Sequence, residues 1–148
     1  MRAKGVLCSR LGFHHSVLIA NSRGPETLKQ LAEETAAGPV PVVVAATGVD
    51  LLVITLPMKS VRLLPTDLLE GLSENQIVVD TCNYYPSFRD GVIQQIEDGL
   101  TESEWVAQQL RRPVIKSFIN ILAHSLANGG LPKGRAARIA LPSRAPME

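Results

Sequence analysis

A chain of 148 residues, 45% hydrophobic but only 4% aromatic, has room for one domain (1–148) with an aliphatic α/β core rather than an aromatic-rich β-sandwich. Its net charge of +1 argues against nucleic-acid partners and anionic membranes, and no apolar run is long enough to span a bilayer. Two cysteines, Cys8 and Cys82, and no apolar N-terminal leader segment lead to the expectation of a cytoplasmic protein with reduced thiols and no metal knuckle.

In chain order, residues 17–20 form a short apolar run, the pattern of a strand buried on both faces. Gly24-Pro25 punctuates, and Leu28, Leu31, Ala32 and Thr35 fall at helical spacing, which predicts an amphipathic helix over 25–36. The stretch 36–41 stops it, and 42–46 reads as a strand or one helical turn. "LLVITL" at 51–56 is the strongest buried strand and ends at Pro57. A helix over 61–72, restarting at Pro65, and a strand at 77–79 follow. Thr101 and Glu104 form a capping box for a helix over 101–110, with Trp105 in its apolar face. Residues 114–115 and 138–141 are further candidate strands, the second inside a Gly-, Pro- and Arg-rich tail, 129–148.

Short aliphatic strands alternating with helices predict a doubly wound, mostly parallel sheet. Ligands of such sheets bind beyond the carboxyl ends of the strands, so the residues after each strand are the ones to read. After the first comes Asn21-Ser22-Arg23. In a dinucleotide fold this strand end meets the adenosine ribose; an acid there favours NAD, whereas an arginine accepts the 2′-phosphate of NADP. Ser22 and Arg23 offer a hydroxyl and a forked cation suited to that phosphate. The competing reading is a solvated arginine beside a helix start that Ser22 or Gly24 caps. The G-x-G-x-x-G loop that should precede this strand is not written: only fifteen residues stand before Ser16, and they hold Gly5 and Gly12 but no G-x-G.

The blocks "VLIANSRGPETL", "DLLVITLPMKSV", "DTCNYYP", "DGLTESEWVAQQL", "IKSFINILAHSLANGG" and "RIALP" occur in that order. Together they resemble the NADP-binding oxidoreductases related to the NADPH-dependent reductases of the deazaflavin coenzyme factor 420, over roughly residues 16–142. The resemblance implies a Rossmann-like fold. It implies that Asn21, Ser22 and Arg23 bind NADP(H) through its 2′-phosphate, with Leu56, Pro57 and Met58 in the loop that passes along the cofactor. Asn83, Tyr84, Lys116, Phe118 and Asn120 then belong to the substrate pocket, where a deazaflavin or another small molecule exchanges hydride. Such a transfer needs no protein acid, base or nucleophile, so no catalytic residue and no metal ligand is assigned.

The chain departs from the family pattern in three places. The first strand, glycine loop and first helix are missing or reduced to "GVLCSRL", with 6–8 as a stub strand; 1–15 is atypical. Ile119 stands where the family has an asparagine, and the sequence stops soon after "RIALP". An alternative is therefore a non-catalytic remnant, or an interaction module that forms a homodimer through exposed strand edges. His14, His15 and His124 lack a third ligand at metal spacing, and no G-x-S-x-G elbow accompanies Ser16 or Ser125. Asp80 is expected to pin the loop after its strand, and Trp105 to be core.

Overall fold

The computed structural model describes residues 15–70, 72–73 and 75–144. The stub strand expected at 6–8, Cys8 and His14 lie outside these residues. The described residues build an α/β, Rossmann-like arrangement of parallel strands joined by helical connections. They divide into a two-stranded and a four-stranded ladder.

In the smaller ladder β1 (Leu18–Ile19) pairs in parallel with β2 (Gly38–Pro39), Leu18 opposite Gly38 and Ile19 opposite Pro39. Pro39 has no N–H to give, and it falls between the two donors of the ladder, Gly38 N–H to Val17 C=O at 2.8 Å and Val40 N–H to Ile19 C=O at 2.9 Å. The expectation of a strand buried on both faces is corrected: Leu18 is 41% exposed. The helix expected over 25–36 is also divided. Gly24 carries no capping side chain, so the chain enters through a 3₁₀ turn, Pro25–Leu28, before α1 (Lys29–Thr35) begins. Ala36, in the left-handed conformation with φ 56°, ends it.

The larger ladder has the order β3-β4-β5-β6. Strands β3 (Leu51–Ile54), β4 (Ile77–Asp80) and β5 (Ile115–Ser117) run parallel, and β6 (Ser143–Arg144) is antiparallel to β5. The strand expected at 138–141 does not form; pairing begins only after Pro142, which cannot donate to a ladder. The segment 42–46 takes the helical alternative, a 3₁₀ turn at Val42–Val44. The helix expected over 61–72 is replaced by a 3₁₀ helix, Met58–Leu63, and a chain of turns. Pro65 explains this: it disfavours helical geometry at the preceding residue, and Leu64 is extended, with ψ 143°.

A π-helical turn (Pro86–Asp90), the short α2 (Gln94–Glu97) and α3 (Glu102–Leu110) connect β4 to β5, and α4 (Ala123–Asn128) follows β5. The buried face of α3, Trp105 and Val106, packs with Met58, Val61, Ile54, Val78 and Val114 into one core cluster. The Trp105 indole N–H reaches Gln95 Oε1 at 3.1 Å, which satisfies the one polar atom of that ring. The expected capping box is present: the Thr101 N–H donates to Glu104 Oε2 at 2.9 Å, and the Glu104 N–H donates to Thr101 Oγ1.

Because this box is the start signal of the helix that carries Trp105, Thr101→Ala is expected to cost about 1 kcal/mol. A urea midpoint followed by fluorescence of Trp105, the single tryptophan, reads the loss. An unchanged midpoint means that tertiary packing alone sets this helix.

Candidate functional site at the strand ends

The residues beyond β1 form a tight turn. Asn21 Oδ1 accepts the Arg23 N–H at 2.9 Å, an Asx turn that closes before Gly24. Gly24 adopts φ 95°, a conformation that strains any residue with a Cβ, and the Glu26 carboxylate lies over the place a Cβ would take, 2.5 Å away. Asn21 Nδ2 also donates to Thr27 Oγ1 at 2.9 Å, and the Thr27 hydroxyl donates to the Gly24 C=O at 2.9 Å. Ser22 and Arg23 sit at the tip, both exposed, and their side chains have no hydrogen-bond or ionic partner among the described residues. Neither Ser22 nor Gly24 caps the following turn by a side chain. The turn therefore presents one hydroxyl and one unpaired guanidinium at the carboxyl end of a parallel strand.

Beyond β3, Leu56 and Pro57 are half-buried, whereas Met58 is fully enclosed in the core. The Lys59 N–H donates to Asp90 Oδ1 at 3.3 Å, and the Tyr85 N–H to Asp90 Oδ2 at 2.9 Å. Arg89 pairs with Asp90 at 3.0 Å, bonds the Asn83 C=O, and lays its guanidinium 5.1 Å from the centroid of the Tyr85 ring. One buried carboxylate thus joins the loops after β3 and β4. Burial pushes the Asp90 pKa up, but the hydrogen bonds from Arg89 and from the Tyr85 and Lys59 N–H groups outweigh it, and the carboxyl lies below its usual value.

The third group joins β4 to β5. Asp80 and Lys116 face each other across the ladder. The Lys116 ammonium meets Asp80 Oδ2 at 2.9 Å, Glu102 Oε2 at 3.2 Å and the Cys82 C=O, so its three protons have three acceptors. Asp80 Oδ1 accepts the Cys82 N–H at 2.7 Å, the pinning role expected of it. Glu102 Oε1 accepts the Tyr84 N–H. Burial, with the Asp80 charge adding to it, pushes the Cys82 thiol up to about 12, so this cysteine stays protonated and inert.

Of the expected pocket residues, Tyr84 and Lys116 are committed to the fold. The Tyr84 hydroxyl donates to Glu97 Oε1 and accepts the Ile93 N–H, each at 2.8 Å. Loss of hydration and the Glu97 carboxylate raise its pKa. Asn83 and Phe118 are half-buried and Asn120 is exposed; Phe118 has φ 63°, an uncommon conformation for a bulky residue. Sequence reasoning missed Thr27, Arg89, Asp90 and Glu102. Glu102 carried a signal, as an acid in the first turn behind a capping box, but nothing in the sequence pointed it at Lys116. Among the described residues no group of three His, Cys, Asp or Glu side chains is placed to hold a metal, and no helix is long and apolar enough to cross a membrane. A concavity of about 420 Å³ lies at the opposite, amino ends of β4 and β5, lined by Gln76, Ile77, Arg112 and Val114 among others.

Comparison with known proteins places this geometry. The family described as "NADP oxidoreductase coenzyme F420-dependent" matches residues 3–84, more than half of the chain. The crystal structure of a hypothetical protein, SMa0349 from Sinorhizobium meliloti, is similar with a TM-score of 0.57 and 27% sequence identity. The similarity covers 76% of this chain and 54% of that one, so the chain spans about half the length of that protein. No curated protein matches the chain.

Lys116→Met leaves Asp80, which is fully buried, without its counter-ion, and is expected to cost about 3–5 kcal/mol in urea unfolding. A loss below 1 kcal/mol (about the size of a surface pair) places the ammonium outside the load that holds β4 to β5. Asp90 gives a pH signature. Its folded pKa is depressed below the ordinary 3.8, so its stabilisation is present above that pH and is lost as pH falls through the folded value. Asp90→Asn is therefore expected to be less stable than the parent at pH 7 but to lose less on acidification; parallel pH profiles of the two chains contradict this.

Proposed function

The chain belongs to the family of coenzyme-F420-dependent NADP oxidoreductases, and we propose from that premise that it binds NADP(H) and moves hydride between it and a small acceptor. The observation that carries the reading is the turn after β1. Ser22 and Arg23 are exposed, have no side-chain partner among the described residues, and stand at the end of a strand of the kind that meets the adenosine ribose in a Rossmann-like fold. A dianionic 2′-phosphate is the group that such a fork and hydroxyl suit.

The remaining assignments follow from position. Leu56 and Pro57 line the path of the cofactor, and Met58 supports that loop from the core side. Lys116 and Tyr84 fix the loop after β4, with Asn83 in it, which leaves Phe118 and Asn120 as the side chains with exposed surface beside a second ring. The nicotinamide supplies the hydride when bound; the chain's residues orient the partners and exclude water, and no side chain moves a proton. A deazaflavin of the factor 420 type is the acceptor proposed, on the family's description; other small acceptors use the same geometry.

A second reading, a non-catalytic binding or interaction protein, is favoured by one observation: no two glycines in the 148 residues stand in G-x-G spacing. The pyrophosphate then lacks its usual cradle of backbone N–H groups. Titration with the two reduced cofactors separates the readings. NADPH is expected to bind more tightly than NADH by roughly one to two decades, the worth of about 1.5–3 kcal/mol for a charge-assisted bond. Arg23→Ala is expected to erase most of that preference. Equal affinities in the parent contradict the 2′-phosphate assignment, and no binding of either cofactor supports the second reading.

A further inference from the structure

We propose that Thr27 is a specificity-determining positioning residue: through Asn21 and the Gly24 carbonyl it fixes the turn that holds Ser22 and Arg23 ready for a 2′-phosphate. The inference rests on the reading of Ser22 and Arg23 given above and deepens it. Thr27 has no place in the sequence pattern of a nucleotide site, since it lies beyond the helix start and six residues from Asn21.

The hydrogen-bond count makes the case. Asn21 was expected to contact the cofactor itself, but both polar atoms of its amide are engaged in the turn. Nδ2 donates one of its two protons to Thr27 Oγ1 at 2.9 Å, and Oδ1 accepts the Arg23 N–H at 2.9 Å. The Thr27 hydroxyl has one proton and two acceptors in range, the Gly24 C=O at 2.9 Å and Asn21 Oδ1 at 3.3 Å. The shorter contact places that proton on the Gly24 C=O. A closed ring of side chain and backbone therefore links 21, 23, 24 and 27. All of these bonds lie at the exposed surface, where an isolated hydrogen bond adds little stability. Their effect is on geometry: they hold open a turn whose two outward side chains bond to nothing among the described residues.

The turn also brings an acid close. The Glu26 carboxylate folds over Gly24, where an added Cβ would stand 2.5 Å from Oε1. No ion pair joins Glu26 to Arg23 among the described residues, so the guanidinium stays available. A turn that relaxes allows Arg23 to swing towards this neighbouring carboxylate instead of a phosphate. Holding the backbone at 21–24 thus favours the 2′-phosphate in two ways, by alignment and by keeping a competing anion off the arginine.

The test compares the full-length chain with Thr27→Val and Thr27→Ser, each titrated with NADPH, NADH and 2′,5′-ADP. Valine keeps the shape and removes the hydroxyl; serine keeps the hydroxyl. Thr27→Val is expected to lower the NADPH-to-NADH affinity ratio about two- to tenfold and to weaken 2′,5′-ADP in step, with NADH unchanged. Thr27→Ser is expected to restore the parent ratio. A general structural defect weakens both cofactors equally and leaves the ratio intact, which overturns the proposal. So does a parent-like ratio in Thr27→Val while Arg23→Ala collapses it, and in that case the 2′-phosphate reading survives alone. A parent with no NADPH preference removes that reading and this inference together. Asn21→Ala, which breaks the same ring from its other side, provides the same measurement should the valine variant not fold.

Discussion

The ion pair between Lys116 and Asp80 is the constraint on which the ligand end of the larger sheet depends. Asp80 is fully buried and Lys116 nearly so, and an isolated charge at either place costs several kcal/mol in desolvation. Each charge is tolerable only because the other is there, and because the Cys82 N–H, the Cys82 C=O and Glu102 complete their hydrogen bonds. The pair fixes more than two strands. Glu102 is the first residue of α3 and also accepts the Tyr84 N–H, so the helix start, the loop after β4 and β5 all converge on one ammonium. Tyr84 then bonds Glu97 and Ile93, which carries the constraint on to α2. A polar knot of this kind adds little net stability compared with apolar packing, but it admits few alternative geometries for the strand ends it joins.

That arrangement decides which of the family's sequence positions remain available for chemistry. A lysine after a strand in a Rossmann-like fold invites a role at the reacting centre. Here all three of its protons are taken by protein acceptors, and its side chain is 10% exposed. The opposite holds for Ser22 and Arg23, whose side chains have no partner among the described residues. The same physical question, whether a polar group is already satisfied, separates a strand end committed to structure from one whose polar groups remain available. Met58, expected along the cofactor, is core for a different reason: it starts a 3₁₀ helix whose buried residues, Met58 and Val61, share a cluster with Trp105 and Val106.

What could be read in the sequence follows the same division. The capping box at Thr101, the buried Trp105 and the existence of a strand beginning at Leu51 were legible because each depends on local spacing or on a run of aliphatic residues, but the strand ends at Ile54 rather than Leu56 and only Ile54 of it is buried. The opening turn was legible as a turn, since Gly24-Pro25 cannot be anything else. The helix expected at 61–72 was not legible in its real form, because helical spacing of Val61, Leu64 and Leu68 is also produced by successive tight turns that bury the same residues. Leu18 was read as buried on both faces because continuous apolar runs mark central strands, yet β1 pairs on one side only among the described residues. Asp90 and Glu102 could not be found from sequence, because each acts through a contact whose partner is fixed by tertiary folding, 14 residues away for Glu102 and Lys116 and 31 for Asp90 and Lys59; Thr27 acts locally, on Asn21 and Gly24, but through a side-chain bond that no spacing rule marks.

The division into two ladders bears on how firmly each strand end is held. The turn at Asn21–Gly24 follows β1, in a ladder of two short pairs; the Lys116 knot belongs to the other ladder, with a core of aliphatic side chains and Trp105 beneath it. Leu51 and Val53 of β3 are 47% and 38% exposed, unusually high for aliphatic residues of a parallel strand. The two strand ends therefore have unequal support. The loops after β3 and β4 are braced by buried charge and core packing, whereas the turn after β1 is held chiefly by surface hydrogen bonds of its own. The conformation of residues 21–27 consequently depends on local turn chemistry, and a substitution there touches none of the hydrogen bonds that hold Lys116.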